Sequence, residues 1–321
     1  MGTKDLAWKN FLEHDEIVKG LLELAVEPAQ DQFQELTLRR MPTHEALFEK
    51  DGHQRQKAVG RERDGCWRMS WRQPNGQRAQ AILGIEVQSG IDPSMAVRVA
   101  VADVMNYNAQ AEAKVMEAKI ESQEEMRDFL YPALPEKPLE LVVTLVIYTG
   151  KQAWDARCSL RQMVDVPQPF TLDDVPGFQF RLLDLRRIPE KKLVNGEKNS
   201  RSVIKYLKVH EDKEALRRLV KSDEDYQVVL VDTARVIQAV TGAQFKIPNN
   251  EEYMNMCKAE QDLCDEAARL GEARGEERGI QQGIRVYVSK LRQLGVAEKD
   301  ILAGLSEDFH LSLDKALEYL R

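Results

Sequence analysis

Three polar residues, Asp64, Glu86 and Gln88, are of types that can bind divalent cations or orient water. Glu86 and Gln88 stand in an otherwise apolar run in which they alternate with Ile85 and Val87. Side chains two residues apart on a strand share a face, so both point the same way from a segment expected to be buried. A buried carboxylate is costly unless a metal ion or a cationic side chain compensates it. The sequence leaves both alternatives open.

The segment that begins at Asp64 is predicted to pair with the strand that carries Glu86. The eight residues from Asp64 alternate like a strand, and residues 79–88 form the second strand-like run. Asn75 and Gly76 stand between the runs and are a strong hairpin signal, because both residues tolerate positive φ. An antiparallel pair places the two carboxylates roughly level. Oxygen ligands of this kind suit magnesium or manganese.

The residues after this hairpin predict a helix and then a central strand. Asp92 is a good N-cap and Pro93 a good first helical residue, and the helix is expected to run to about Glu121. Residues 139–148 form a β-branched apolar run. Strand, helix and strand in this order predict a crossover unit and the α/β fold class.

The order of hairpin, helix and strand, with an acid on the hairpin followed by Glu-x-Gln, resembles the core of the PD-(D/E)XK nuclease superfamily. More closely, it resembles the Rpn family of recombination-promoting nucleases and putative transposases. The resemblance covers about residues 3–270. The segments and residues that carry it are 5–12, 61–64, 84–89 with Met95, Arg98, Tyr107 and Gln110, and 145–150 with Trp154.

The resemblance implies an α/β fold with a PD-(D/E)XK restriction-endonuclease-like core, in which helices flank a mixed central sheet. It implies a nuclease-like domain with covering helices over residues 1–250, and a helical, Gly/Glu/Arg-rich extension over residues 251–321. The implied activity is magnesium-dependent DNA endonuclease activity linked to recombination and transposition. DNA is then the partner and Mg²⁺, or alternatively Mn²⁺, the cofactor.

The resemblance also assigns roles to individual residues. Asp64, Glu86 and the backbone carbonyl of Val87 would hold the metal. Gln88 stands where many members of the superfamily have a lysine, and an amide can orient a water molecule but cannot deprotonate it. Lys9 is expected to supply the missing cation if its helix packs beside the hairpin. The implied catalytic set is therefore Asp64, Glu86, Gln88 and Lys9.

Structural alternatives exist for each of these residues. An Asp at the start of a strand is often a turn residue, so Asp64 has a local explanation. Glu86 is equally explained by an ion pair with Arg68 or Arg98. Arg63 and Arg98 are candidates for binding DNA phosphates, although solvated surface arginines are the usual case.

The net charge of the 321-residue chain is −7, whereas a dedicated DNA-coating protein would be basic. DNA binding would therefore depend on local clusters of basic residues. The alternative for each cluster is an ordinary solvated surface that does not bind DNA. The first cluster comprises Arg39, Arg40, Arg55, Lys57, Arg61, Arg63, Arg68, Arg72 and Arg78. The second comprises Arg181, Arg186, Arg187, Lys191, Lys192, Lys198, Arg201, Lys205 and Lys208.

Composition indicates a globular, cytoplasmic protein with no membrane partner. Hydrophobic residues make up 43% of the chain, but no apolar run approaches the length of a membrane span. Charged residues interrupt the first turns, so no signal peptide is expected. The four cysteines and five histidines show no paired metal-ligand spacing, and free thiols are expected.

Glycines recur at every fourth position from Gly271 through Gly275 and Gly279 to Gly283. On a helix they would form one ridge that lets two helices approach closely, which predicts a homo-oligomer. Glycine costs about 1 kcal/mol relative to alanine inside a helix, so a flexible linker is the alternative.

Three functions of different classes are consistent with the sequence. The first is the metal-dependent DNA endonuclease. The second is a catalytically inactive nuclease-fold protein that binds DNA or a protein partner, which Gln88 and the acidic balance favour. The third is an assembly protein that acts through the glycine ridge.

Overall fold

The computed structural model describes residues 2–26, 33–50, 56–122 and 138–320. Its main feature is a five-stranded sheet with strand order β1-β4-β5-β6-β7, accompanied by two two-stranded sheets, β2-β3 and β8-β9. The strands are β1 Gln34–Arg40, β2 His44–Lys50, β3 Gln56–Glu62, β4 Gly65–Arg72, β5 Arg78–Gln88, β6 Leu141–Tyr148, β7 Arg181–Asp184, β8 Val229–Leu230 and β9 Tyr253–Met254.

Helices precede, connect and follow these strands. The α-helices are α1 Thr3–Phe11, α2 Asp15–Ala25, α3 Met95–Ser122, α4 Glu190–Leu193, α5 Lys198–Val209, α6 Lys213–Ser222, α7 Val231–Thr241, α8 Met256–Gln293, α9 Glu298–Asp308 and α10 Leu313–Leu320. Short 3₁₀ helices occur at Leu160–Gln162, Leu172–Asp174, Leu185–Arg187 and Glu224–Gln227. Among the described residues, no helix is both long and apolar enough to cross a membrane.

The predicted hairpin is confirmed as β4 and β5, which pair antiparallel from Arg72 opposite Arg78 to Gly65 opposite Ile85. Gly76 has φ of 84°, the conformation that favours glycine in a tight turn. The Asn75 carboxamide oxygen accepts a hydrogen bond of 3.0 Å from the backbone N–H of Gln77. Sequence alternation and turn chemistry therefore agree on this register.

The sheet is mixed. The β1–β4 and β4–β5 pairs are antiparallel, whereas the β5–β6 and β6–β7 pairs are parallel. α3 follows β5 and precedes β6, so the predicted order of hairpin, helix and strand is confirmed. The prediction of an α/β architecture with a mixed central sheet and flanking helices is confirmed with it.

One face of the sheet is covered by α3. Met95 and Val99 of this helix form an apolar cluster with Val146 of β6 and with Phe180. Trp154 packs on the same cluster, with its ring centroid 6.0 Å from that of Phe180 in an edge-on arrangement. This packing fixes the start of α3 over β6.

Two polar residues of α3 complete the backbone hydrogen bonding of β6 where the short strand β7 does not reach. The Tyr107 hydroxyl accepts a 3.0 Å hydrogen bond from the N–H of Val142. The Gln110 carboxamide accepts from the N–H of Glu140 at 2.7 Å and donates to its carbonyl at 3.2 Å. Both residues therefore hold α3 against the sheet edge.

A second layer of helices encloses the remaining apolar surface of the first part of the chain. α1 packs against α7, and α5 contacts both α2 and α7. The His14 ring lies 3.0 Å from the Asp232 carboxylate, which ties the junction of α1 and α2 to α7. Leu83 and Ile85 point away from α3 along β5 and are fully buried, so both faces of this strand are covered.

The region 189–220 differs from its sequence prediction. The paired lysines, the Asn195-Gly196 pair and the scarcity of large apolar residues predict a loop over 189–199, but α4 and the start of α5 occupy part of it. The sequence pattern over 201–220 predicts one helix, but α5 ends at Val209 and α6 begins at Lys213. The Asp212 carboxylate accepts from the N–H groups of Glu214 and Ala215, both at 3.0 Å, and so starts a new helix where the sequence pattern alone continues.

The chain divides into two compact units, Met1–Cys257 and Lys258–Arg321. In the second unit, the last turns of α8 together with α9 and α10 enclose a small core of Ile284, Val288, Ile301, Leu305 and Ala316. Gly304 lies inside α9. A Cβ atom on it would lie 2.6 Å from the Tyr287 hydroxyl, so glycine there permits close packing.

Candidate metal centre

Asp64 and Glu86 lie level at the end of the β4–β5 hairpin. Gly65 pairs with Ile85, and extending that register by one residue sets Asp64 opposite Glu86. Asp64 lies in a bend just before β4, so the strand ladder itself does not hold it. Glu86 lies within β5, and 8% of the residue is exposed.

The backbone of β5 binds the Asp64 side chain directly. Asp64 Oδ2 accepts a 2.8 Å hydrogen bond from the N–H of Val87. The carbonyl of the next residue, Gln88, faces β6, where it accepts from the N–H of Thr149 at 2.9 Å. Because successive backbone groups of a strand point to opposite edges, the carbonyl of Val87 lies on the Asp64 edge.

The electrostatic surroundings of Asp64 oppose its ionisation. Burial raises the pKa of the Asp64 carboxyl above its ordinary value. The Val87 N–H lowers this pKa, the Asp5 carboxylate raises it further, and the charges of Lys9 and Arg98 lower it. A cation at this carboxylate would offset the cost of burying its charge.

Two charged residues of α1 also act electrostatically on Asp64. Asp5 and Lys9 are one helical turn apart, and each is close enough to Asp64 to influence its charge. The charge of Lys9 therefore acts on Asp64, as its proposed role requires. Its catalytic role remains a prediction.

Glu86 has a cationic neighbour on α3. Arg98 Nη2 lies 3.6 Å from Glu86 Oε2, whereas Arg98 Nη1 lies 2.7 Å from the Asp92 carboxylate. Arg98 therefore serves two acids, and its closer partner is Asp92. The other partner considered for Glu86, Arg68, instead pairs with Glu140 at 2.9 Å.

Gln88 shares the face of Glu86, as the alternation along β5 predicts. Its side chain is partly exposed, and its amide group makes no hydrogen bond within the described part of the chain. The amide is therefore available to a ligand at the end of the strand.

The expectation that Arg63 contacts DNA is wrong. Only 3% of Arg63 is exposed, and its guanidinium points into the protein. Nη1 donates to Thr144 Oγ1 and Nη2 to Asp103 Oδ1, both at 2.8 Å. The Thr144 hydroxyl in turn donates to Asp103 Oδ1 at 2.7 Å. Burial raises the pKa of the Asp103 carboxyl, and the charge of Arg63 opposes that rise.

The second basic cluster is largely neutralised within the protein. Arg201 donates to both carboxylate oxygens of Asp225. Lys205 pairs with Asp223 at 2.6 Å, and Lys208 donates to the Ile188 carbonyl and to Glu190. Arg186 donates to the carbonyls of Thr149 and Leu207, and Arg187 pairs with Asp184. These partners compete with phosphate for most of the cluster.

The first basic cluster includes partly exposed side chains near the hairpin, although acids accompany several of them. Arg72 pairs with Glu35 at 3.2 Å, and Arg40 pairs with Glu13. Arg55 and the side chains of Lys57 and Arg61 lie outside the described residues. DNA contacts by this cluster remain a prediction.

The donor set fits a hard divalent cation better than a transition metal. It consists of the Asp64 and Glu86 carboxylates and the Val87 carbonyl, all oxygen ligands. Within the described ranges, no group of three or more His, Cys, Asp or Glu side chains is placed to hold a metal. The four cysteines are free thiols. A magnesium ion here would therefore retain several waters.

A family model described as "Putative transposase, YhgA-like" matches residues 70–227. The predicted family resemblance is confirmed over this segment. It includes Glu86, Gln88 and Arg98, whereas Lys9 and Asp64 precede it. The match associates the segment with a transposition-related role and with DNA interaction. Neither the curated proteins nor the solved structures include a significant match to the chain.

Sequence reasoning missed the buried network of Arg63, Asp103 and Thr144. Its partners are 40 and 81 residues from Arg63, so no local pattern reveals it. One signal was present, because Asp103 lies four residues after the buried Val99 on the apolar face of α3. A charged residue in a buried helical stripe indicates an internal partner.

Proposed function

We propose that the chain is a magnesium-dependent DNA endonuclease whose metal site is formed by Asp64, Glu86 and the carbonyl of Val87. The observation that carries the proposal is the position of two half-buried or buried carboxylates opposite each other at one end of the β4–β5 hairpin. The transposase-like family match supports DNA as the substrate. The order of strands around α3 supports assignment to the PD-(D/E)XK fold.

The residues around the site have distinct roles in this proposal. A bound magnesium ion would lower the pKa of a coordinated water and neutralise charge on the scissile phosphate. Asp64 and Glu86 would hold the metal, and the N–H of Val87 keeps the Asp64 carboxylate in one orientation. The Gln88 amide orients the attacking water. The Lys9 ammonium, one of the charges that act on Asp64, stabilises negative charge on the phosphate.

Arg98 supports a second candidate, the catalytically inactive protein that binds DNA or a protein partner. Its guanidinium lies 3.6 Å from Glu86 and supplies positive charge where the metal would otherwise bind. The absence of a lysine at Gln88 points the same way. This candidate retains DNA binding but gains no cleavage from magnesium.

The test is nicking of supercoiled plasmid by the purified full chain with Mg²⁺, Mn²⁺ or EDTA. Asp64→Asn and Glu86→Gln should each lower the metal-dependent rate by about 10²-fold or more, because each removes a charged ligand. Asp184→Asn is the matched control. Asp184 lies at the end of β7, pairs with Arg187, and takes no part in the proposed site.

The outcomes separate the two candidates. Loss of nicking in both site variants but not in the control supports the endonuclease. Equal nicking by all variants indicates a contaminant or another site. If no form nicks with either metal, salt-dependent DNA affinity of the unmodified protein then measures the binding function alone.

A further inference from the structure

The buried guanidinium of Arg63 connects four parts of the fold next to the candidate metal centre. Its own backbone N–H donates to the carbonyl of Thr43 at 3.1 Å. Its side chain reaches Asp103 on α3 and Thr144 on β6. A Cβ atom on Gly84 of β5 would lie 1.6 Å from Arg63 Nη1, so the guanidinium lies directly against that strand.

Asp64 requires an anchor of this kind because the sheet ladder does not include it. β4 begins at Gly65, and Asp64 lies in the bend before it. Its carboxylate must nevertheless meet one specific group, the N–H of Val87. The residue that immediately precedes Asp64 is Arg63, whose side chain is fixed at both ends of its planar fork. Fixing Arg63 restricts where Asp64 can lie.

The network also aligns the partner carboxylate. Gly84 and Glu86 share one face of β5, and Arg63 occupies the space that a larger residue at 84 would fill. Asp103 lies on the same helix as Arg98, the residue that contacts Glu86. A single guanidinium therefore sets the spacing between β4, β5 and α3 at the level of the two acids.

Stability alone is a poor explanation for this arrangement. The Nε of Arg63 is buried and makes no hydrogen bond in the described part of the chain. A buried donor without a partner is unfavourable, because it has lost its hydrogen bonds to water without replacement. Buried ion pairs are often no more stabilising than apolar residues of similar volume. An apolar residue at position 63 could not form the directional hydrogen bonds that connect the residue before Asp64 to α3 and β6.

We propose that Arg63 is a positioning residue that holds the Asp64 carboxylate against the N–H of Val87 and opposite Glu86, through its fixed contacts with Asp103 and Thr144. The relevance of this role to DNA cleavage rests on the proposed function. The positioning itself is a property of the metal-free protein and is measurable without any cleavage assay.

The first variant is Arg63→Lys, which keeps a positive charge beside Asp103 but replaces a planar fork by a single ammonium. Hydrogen–deuterium exchange at the Val87 amide should become about tenfold faster relative to the amides of β6, because its acceptor Asp64 is no longer fixed. Mn²⁺ affinity, measured by calorimetry, should fall by about tenfold or more. The matched control is Arg201→Lys, which makes the same change in the Arg201–Asp225 pair.

If Arg63→Lys does not fold, a pair of variants that changes the structure less tests the same proposal. Thr144→Val keeps the shape of the side chain but removes the hydroxyl that accepts from Arg63. Thr233→Val is its control, because the buried Thr233 hydroxyl makes one 2.8 Å hydrogen bond to Asn199 in another part of the unit. The Val87 amide should lose protection in Thr144→Val and keep it in Thr233→Val.

The two proposals fail in different ways. If Val87 protection and Mn²⁺ affinity change no more than in the control variants, Arg63 is a structural residue only and the inference is overturned. If the unmodified protein neither nicks DNA nor binds Mn²⁺, the proposed function fails. The exchange of the Val87 amide in the same samples still decides whether Arg63 positions Asp64.

Discussion

Gly84 and Gly275 illustrate how differently two regions of this molecule use the same residue. A Cβ atom on Gly84 would collide with the buried Arg63 guanidinium. A Cβ atom on Gly275, on the exposed surface of α8, would meet no described atom within 4 Å. Contacts inside the protein therefore explain glycine at 84, whereas no described contact explains it at 275.

The two regions differ in whether internal contacts require the glycine. In the central sheet, position 84 must lack a side chain because the buried Arg63 guanidinium, which is hydrogen-bonded to Asp103 and Thr144, occupies that space. In α8, four glycines at successive fourth positions remain helical although each is unfavourable there by about 1 kcal/mol. The helical state argues against the flexible-linker alternative. Homo-oligomerisation through this ridge stays a prediction, and both regions are open to direct tests.

The largest effect is expected from Asp103→Ala. This substitution leaves the Arg63 guanidinium buried without its charged partner and should lower the free energy of unfolding by about 3–5 kcal/mol, measured by urea denaturation. Asp225→Ala is the comparison, because the Arg201–Asp225 pair is partly exposed and solvent can replace the lost carboxylate. A loss at Asp103 no greater than at Asp225 would mean that the Arg63 network is not a constraint.

A smaller loss is expected from Gly84→Ala. The added methyl group forces the Arg63 guanidinium to move, and overpacking of this kind lowers the free energy of unfolding by about 1–3 kcal/mol. In an Arg63→Lys background the same substitution should lower the free energy of unfolding by less, since the ammonium group of lysine is smaller than the guanidinium and leaves room for the methyl group. Additive losses in the double variant would show that Gly84 is needed for some other reason.

The β4–β5 hairpin and the common face of Glu86 and Gln88 could be predicted from sequence because both follow from local rules. Asn75 and Gly76 define the turn, and the period of two along the strand defines the face. The helix α3 was also predictable, since capping and apolar residues mark it over many turns. These features depend on neighbours within a few residues.

The buried position of the Arg63 side chain could not be predicted in the same way. It lies outside the strand, so the alternation that assigned a face to Glu86 gave no direction for its side chain. Its partners, Asp103 and Thr144, are brought to it by the packing of α3 and β6. Similarly, α1, which carries Lys9, is held by contacts with α7 that no local pattern specifies.

Magnesium should stabilise the first unit of the chain and not the second. At a free concentration ten times its Kd, a single bound ion should add about 1.4 kcal/mol to the free energy of unfolding of Met1–Cys257. Amides in α9 and α10 should exchange at the same rate with or without the ion. Asp64→Asn should remove the effect. An equal response of the second unit would indicate nonspecific ion binding.

The smallest effect is expected from Gly275→Ala, and it has the opposite sign to Gly84→Ala. With no atom within 4 Å to collide with, the methyl group should stabilise α8 by about 0.5–1 kcal/mol, seen as slower amide exchange in that helix. If Gly275 instead lies against a second copy of the chain, the substitution should weaken that association. Sedimentation of the unmodified protein and the variant distinguishes the two results. If the glycine serves close contact between helices of two copies, the substitution reduces self-association. If α8 is not in such a contact, the substitution only stabilises the helix.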